Sequence, residues 1–288
     1  MDKITIVLGN YPHTELIKAQ HAIAGIDAEF PEISPVHDAF DDMVRTQRYD
    51  VCEMAIGAFL QAHDAGKPLL LLPAVMVGGF HHGSIFASPV KTPPSPAAVR
   101  GERIGVRAYS QTTGLWVRAI LAEEYGVAWS DVTWVTSEGS HSDEYTDPDN
   151  VVRTDKSLKD ELRAGGIVAA ILGSQADPDM SPLIPDPAAA ALRWYQRNGT
   201  VPINHMVVVT RDLLESNPNL VQEAYSYIGS GIDQAVAAGT APHAKGLPTA
   251  IRHGRDAVRQ SVEMAAAAAF DQRLISKPVT DLDRIFAF

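Results

Sequence analysis

Short runs of aliphatic and β-branched residues alternate along this chain with segments of helical periodicity. The runs at 4–8, 103–107 and 203–209 have the length of strands, and residues 35–45 place Val36, Phe40 and Val44 on one helical face. The run at 69–77 is almost entirely apolar, which is typical of a strand buried on both faces. This alternation predicts an α/β fold built on parallel sheets.

The α/β pattern is interrupted by a segment rich in proline. Residues 88–100 contain four prolines and little periodicity, and a second series of strands and helices follows. We therefore predict two lobes joined near residues 88–100 and again near 200–210, with hinged closure over a cleft between them. Lobe 1 would comprise residues 1–90 and 210–288, and lobe 2 residues 91–209.

Charge and cysteine content exclude several classes of protein. The 24 Lys and Arg against 35 Asp and Glu give a net charge of −11, which disfavours nucleic-acid binding. The single cysteine, Cys52, rules out a disulfide framework within the chain and fits a small buried side chain. The start of the chain lacks the pattern of a secretory signal, and no apolar run is long enough for a membrane span. We therefore expect a cytoplasmic protein without a membrane partner, and the long C-terminal helices favour a homo-oligomer.

Several polar groups follow predicted strands, where ligands bind in α/β sheets. His81 and His82 lie in a glycine-containing loop after the strand at 69–77, and only one of them is expected to face the cleft. Glu53 ends another strand among apolar neighbours, so its pKa could be raised for proton transfer, although exposure to solvent is the alternative. His205 lies at the second crossing, where a closing cleft would meet a ligand. Glu138 and His141 follow a further strand and could add to the rim of the same site, although solvent exposure is the better expectation for them.

The segment at 105–114 predicts a strand, a polar loop and the start of a helix. Free N–H groups at a helix start favour an anion, and Thr112 or Thr113 could cap the helix there. Arg107 could add a bidentate clamp, with Gln111 beside it. Since neither dinucleotide nor P-loop glycine patterns occur, we expect carboxylate rather than phosphate recognition.

A metal site is the weaker alternative for the same residues. His81 or His82 could join His205 and Glu53 around a divalent cation, but no local motif such as HExxH supports this. We therefore expect neither a metal nor another cofactor.

Four segments, taken in order, carry a resemblance to a known family. Residues 49–54, 80–86, 115–127 and 203–209 resemble 4,5-dihydroxyphthalate decarboxylase and its relatives, and the resemblance spans nearly the whole chain. It implies a type 2 periplasmic-binding-protein-like fold with two lobes, a hinge and a cleft. The family usually has Arg where this chain has His81, which leaves the exact substrate open.

The resemblance also implies a reaction, the non-oxidative loss of CO₂ from a hydroxylated aromatic carboxylate by protonation of the ring carbon. His82 would then be the general acid with Glu53 as its partner, and His205 would hold a phenolic oxygen. The substrate carboxylates would contact Arg107 and Thr112, with His81, Gln111 and Thr113 completing the binding site. The alternatives are a solute-binding protein that captures a small carboxylate without reacting, and a different lyase on the same fold.

Overall fold

The computed structural model describes residues 3–19, 22–23 and 26–288. Within these residues the strands form two separate sheets, one of six strands and one of five. The strands are β1 (Lys3–Val7), β2 (Ala22–Ile23), β3 (Ile26–Glu29), β4 (Val51–Ala55), β5 (Leu69–Gly78), β6 (Ile85–Ala87), β7 (Arg103–Val106), β8 (Thr133–Thr136), β9 (Val151–Arg153), β10 (Ala169–Ile171) and β11 (Ile203–Thr210).

Helices cover both sheets. The α-helices are α1 (Pro12–Ala19), α2 (Asp38–Thr46), α3 (Ile56–Asp64), α4 (Thr112–Tyr125), α5 (Leu158–Ala164), α6 (Pro187–Asn198), α7 (Arg211–Ser216), α8 (Pro218–Ala237) and α9 (Arg255–Asp271). Short 3₁₀ helices lie at Pro96–Val99, Trp129–Asp131, Gly173–Gln175 and Leu282–Arg284. Among the described residues, no helix is long and apolar enough to cross a membrane.

The first sheet has the strand order β2-β3-β1-β4-β11-β5. β1 pairs in parallel with β3 and β4, whereas β11 runs antiparallel to both β4 and β5. The sheet is therefore mixed: its parallel strands match the predicted α/β pattern, and β11 and β2 are antiparallel to their neighbours. The chain returns from the second sheet and enters the first from the opposite direction, which brings the start of β11 beside the end of β4, with His205 opposite Ala55.

The second sheet has the order β6-β10-β7-β8-β9, with only β6 antiparallel to its neighbour. Since β5 belongs to the first sheet and β6 to the second, the chain crosses at residues 79–84, before the proline-rich segment. It returns between α6 and β11. The predicted lobe boundaries at 90 and 209 are thus displaced: lobe 1 contains β1–β5 and β11–α9, and lobe 2 contains β6–α6.

The proline-rich segment lies inside lobe 2 instead of joining the lobes. Its 3₁₀ helix, Pro96–Val99, packs against α4, and Val99 is fully buried in the core. Burial of this one apolar side chain anchors a segment that composition alone marks as a connector.

The core is continuous across the two lobes. Cys52 and Leu71 of lobe 1 belong to the same buried cluster as Trp116 and Trp134 of lobe 2. Helix α9 packs against α3 of lobe 1 and α4 of lobe 2, so it contacts both. Cys52 is fully buried, which agrees with the expectation that it is a small side chain of the core. Burial raises the pKa of its thiol.

Candidate active site

A cavity of about 430 Å³ lies between the two lobes. Lobe 1 contributes residues from α2, from the β4–α3 junction and from the start of β11. Lobe 2 contributes the start of α4 and the loops that follow β7, β8 and β10. The lining residues are His37, Phe40, Ala55, Ala58, Arg107, Ala108, Ser110, Gln111, Thr112, Thr113, Glu138, Gly139, His141, Leu172, Gly173, Ser174, Gln175, Asn204 and His205.

The sheet topology explains why these residues meet. β4, β7, β8 and β10 all end at the cavity, so the segments that follow their carboxyl ends supply most of the lining. β11 runs the other way, and therefore its first residues, Asn204 and His205, reach the same edge.

Glu53 and His205 form a buried acid–imidazole pair on the lobe 1 side of the cavity. The Glu53 carboxylate is fully buried, and its Oε1 lies 2.7 Å from Nδ1 of His205. The same Oε1 accepts a hydrogen bond from the Tyr11 hydroxyl at 2.8 Å, and Oε2 accepts one from the Gly9 N–H at 2.7 Å. These three donors satisfy both carboxylate oxygens.

The charge state of Glu53 follows from these donors. Burial alone would raise its pKa, but the hydrogen bond and charge of His205, with the bonds from Gly9 and Tyr11, hold the pKa below its ordinary value. The expectation of a raised pKa is therefore wrong, because the neighbours of this carboxylate include donors as well as apolar groups. Glu53 is therefore an ionised carboxylate, and in this form it is placed to orient the His205 imidazole.

His205 presents the rest of its ring to the cavity. Its side chain is 21% exposed and packs edge-on against the Phe40 ring, with ring centroids 5.4 Å apart. Because Nδ1 faces Glu53, the nitrogen left for a ligand is Nε2. An imidazole oriented in this way can accept or deliver a proton at a fixed position.

The four residues predicted at the start of α4 all line the same cavity. Arg107 Nη1 contacts Glu138 Oε2 at 3.0 Å, and Thr112 accepts a hydrogen bond from the N–H of Gly57 at 3.1 Å. Gln111 is the N-cap residue of α4 without a side-chain capping bond, and its Oε1 is buried without a partner. Thr113 completes the group.

His81 and His82 lie elsewhere, so the expectation that one of them faces the cleft is wrong. Both are buried, and neither lines the cavity. His82 Nε2 lies 3.5 Å from Glu124 Oε2 on α4, while burial lowers the pKa of His81 to about 4. Both residues lie in the crossing at residues 79–84, and a hydrogen bond with the Asn204 side chain opposes the effect of burial on His81 without offsetting it. A general acid must reach the substrate, and His82 does not.

Sequence reasoning missed several residues of this site. His37, the residue before α2, and Phe40 within α2 have no sequence signal. His141 lines the cavity, which fits the rim alternative and not the expected exposure, and its Nδ1 lies 2.5 Å from Asp41 Oδ1. The only available signal was position, since His141 and Glu138 follow β8 in the sequence. Across the described residues, no group of three or more His, Cys, Asp or Glu side chains is arranged to hold a metal ion.

Comparison with solved structures identifies the fold. The desulfurization enzyme DszB superposes with a TM-score of 0.57 at 17% identity, covering 100% of this chain and 96% of the other. The alkanesulfonate-binding protein SsuA from Xanthomonas axonopodis pv. citri gives 0.53 at 16% identity, covering 96% and 94%. The fold is that of the periplasmic binding proteins, as the two-lobe prediction states. A scan against models of protein families finds no match.

Two curated proteins are more similar in sequence. A 4,5-dihydroxyphthalate decarboxylase from Comamonas testosteroni is 30% identical over 239 residues, which are 75% of this chain and 70% of that protein. Another from Pseudomonas putida is 30% identical over 210 residues, 67% of this chain and 81% of the relative. These matches confirm the family indicated by the sequence segments. The chain therefore belongs to the family of the 4,5-dihydroxyphthalate decarboxylases.

Proposed function

We propose that this protein catalyses the non-oxidative decarboxylation of a hydroxylated aromatic carboxylate of the 4,5-dihydroxyphthalate type. The observation that carries the proposal is the Glu53–His205 pair at the wall of the interlobe cavity. The relatives named as decarboxylases support the same class of reaction.

The reaction needs one proton on the ring carbon that bears the departing carboxylate. His205 Nε2–H delivers it while a phenolate para to that carbon supplies the electron pair, which gives a non-aromatic dienone. The carbon–carboxylate bond then breaks, CO₂ leaves, and the bonding pair restores the aromatic ring. From 4,5-dihydroxyphthalate the product is 3,4-dihydroxybenzoate, and His205 regains its proton from water. Ionised Glu53 stabilises the imidazolium and fixes the ring orientation.

The substrate is held by the lobe 2 wall. Arg107 and the N-terminus of α4 bind the carboxylate that is retained, and Thr113 lies beside them. The amide oxygen of Gln111 is buried without a partner, so it can accept a hydrogen bond from a phenolic hydroxyl.

The departing carboxylate lies in less polar surroundings. Phe40 packs on His205, and Ala55 is the strand partner of His205, so apolar groups adjoin the proton donor. A carboxylate there gains little from solvation, and its conversion to neutral CO₂ relieves that cost.

The test is turnover of hydroxylated phthalates and benzoates, followed by CO₂ release and ring absorbance. We expect His205→Gln to lower kcat by about 100-fold or more, in line with loss of a general acid. His82→Gln is the matched control, since His82 is a buried histidine outside the cavity, and it should retain turnover once folding is verified by circular dichroism. Binding without CO₂ release in the wild type would overturn the proposal in favour of a solute-binding protein, and loss of turnover only in His82→Gln would overturn the assignment of the acid.

A further inference from the structure

Behind the Glu53–His205 pair lies a segment that the cavity lining does not include. This segment, residues 9–14, comprises the end of the β1–α1 loop and the first turn of α1, and it holds Tyr11, whose hydroxyl donates to Glu53 Oε1 at 2.8 Å. Oε1 is also the oxygen that faces His205, at 2.7 Å. Tyr11 and His205 therefore share one carboxylate oxygen.

The Tyr11 ring is fixed in place by its own segment. A Cβ added at Gly9 would lie 2.5 Å from the Tyr11 ring, so the ring fits only over a glycine. The His13 ring stacks on Tyr11 with centroids 5.1 Å apart and an interplanar angle of 8°. Thr14 accepts a hydrogen bond from the Tyr11 N–H and donates one to the Gly9 carbonyl. The phenol is thus pre-positioned, at little entropic cost, for its bond to Glu53.

We propose that Tyr11 is a positioning residue that keeps Glu53 ionised under acidic conditions, so that His205 stays oriented towards the cavity. The proposal rests on the proposed function of the pair. A hydrogen bond to a charged acceptor stabilises the ionised form, and a phenol that stays protonated is a permanent donor. Burial and the Glu53 charge raise the pKa of Tyr11, which keeps its proton in place.

Other titratable groups also act on Glu53. They are His13 and Lys18 on α1, Cys52 on β4 and His205 on β11. Lys18 is already bonded to Leu8 O and Asn10 Oδ1, and burial lowers the pKa of His13. Of these groups, only His205 shares a hydrogen bond with the carboxylate, as Tyr11 does.

The first experiment measures kcat and KM against pH in Tyr11→Phe. Loss of the hydroxyl removes one donor from the carboxylate, so Glu53 protonates at a higher pH and the acid limb of kcat moves upward. We expect the ratio of kcat at pH 5 to kcat at pH 8 to fall about tenfold below the wild-type ratio, while KM at pH 8 stays within about twofold. Tyr49→Phe is the matched control, since its hydroxyl reaches only Asp42, at 3.4 Å. An equal drop at every pH in Tyr11→Phe would show a merely structural role and overturn the proposal.

A second measurement does not depend on turnover. The ¹³C signal of the Glu53 carboxyl, assigned through Glu53→Gln, should titrate at a higher pH in Tyr11→Phe than in the wild type. Gly9→Ala, which keeps the hydroxyl but displaces the ring, should move the signal in the same direction. An unchanged titration in both variants contradicts the role of Tyr11, whereas a shifted titration in a protein without turnover supports that role and rejects the proposed function instead.

Discussion

Glu53 and His81 are both buried, but Glu53 is charged and His81 is neutral, because the two side chains have different partners. Three donors surround the Glu53 carboxylate, so it stays charged although it is fully buried. His81 Nε2 has no hydrogen-bond partner, and burial lowers the pKa of His81 to about 4. The imidazole is thus neutral over the physiological range, which is unsuited to holding an anionic substrate.

The neutral state of His81 makes the stability of the fold dependent on pH. An unfolded histidine takes up a proton below about pH 6.5, whereas folded His81 resists protonation until about pH 4, so stability present at pH 7 is lost as the pH falls between these values. We predict that the free energy of unfolding falls by about 2 kcal/mol more in the wild type than in His81→Gln between pH 7 and pH 4.5. Urea titrations at both pH values measure this, with the exposed His243→Gln as control. Equal losses in wild type and His81→Gln would refute it.

For single residues, the sequence indicates Glu53 and His205 as candidates, but it does not indicate the hydrogen bond between them. The two are 152 residues apart, and they meet only through the register of β11 on β4. The choice of His82 as the acid follows from the family resemblance, and nothing local indicates that residues 79–84 leave the sheet there.

Among the elements, the starts of α3 and α4 are joined directly across the lobes. The N–H of Gly57, in the first turn of α3, donates to Thr112 Oγ1 at 3.1 Å, and both groups are buried. A Cβ at Gly57 would lie 3.1 Å from Ser110 O, so the backbones approach as closely as glycine allows. The hydroxyl of Thr112 therefore fixes the position of a helix start that lines the cavity.

We predict that Thr112→Val destabilises the protein by about 1–3 kcal/mol, because the Gly57 N–H is left buried without an acceptor. The start of α4 would also shift, which should raise KM by about threefold or more. Thr112→Ser keeps the hydroxyl and is the matched control, with both quantities near wild type. Urea unfolding and steady-state kinetics of the two variants decide the point, and a Val variant as stable as the Ser variant would contradict it.

Elements with local end signals were predictable to the residue, and elements without them were not. The ends of α4 and α5 have such a signal, because Gly126 and Gly165 adopt the left-handed conformation that ends each helix. α7 and α8 are divided by Asn217, which caps α8 ahead of Pro218. β6 and β9 have three residues each and depend on pairing with distant strands, so no local pattern reveals them.

In the whole molecule, a buried guanidinium links the two lobes. Arg118 of α4 is 1% exposed, and its Nε donates to Gln272 Oε1 at the end of α9 at 2.6 Å. Its Nη2 donates to Tyr109 O at 2.8 Å, and the guanidinium stacks on the Tyr109 ring at 4.0 Å. The hinge prediction came from the proline-rich segment, whereas this contact between lobes joins residues 154 apart and has no signature in the sequence.

This link predicts a stability effect that depends on the buried charge. Gln272→Leu removes the acceptor of Arg118 Nε and leaves part of a buried cation unpaired, so we expect a loss of about 2–4 kcal/mol. Gln222→Leu, on the exposed side of α8, is the control and should change stability by no more than about 0.5 kcal/mol. The double variant Gln272→Leu with Arg118→Met removes the charge together with its partner, and should lose less than the sum of the two single variants. Strict additivity in urea unfolding would mean that the guanidinium and the amide stabilise the lobes independently, and it would refute the link.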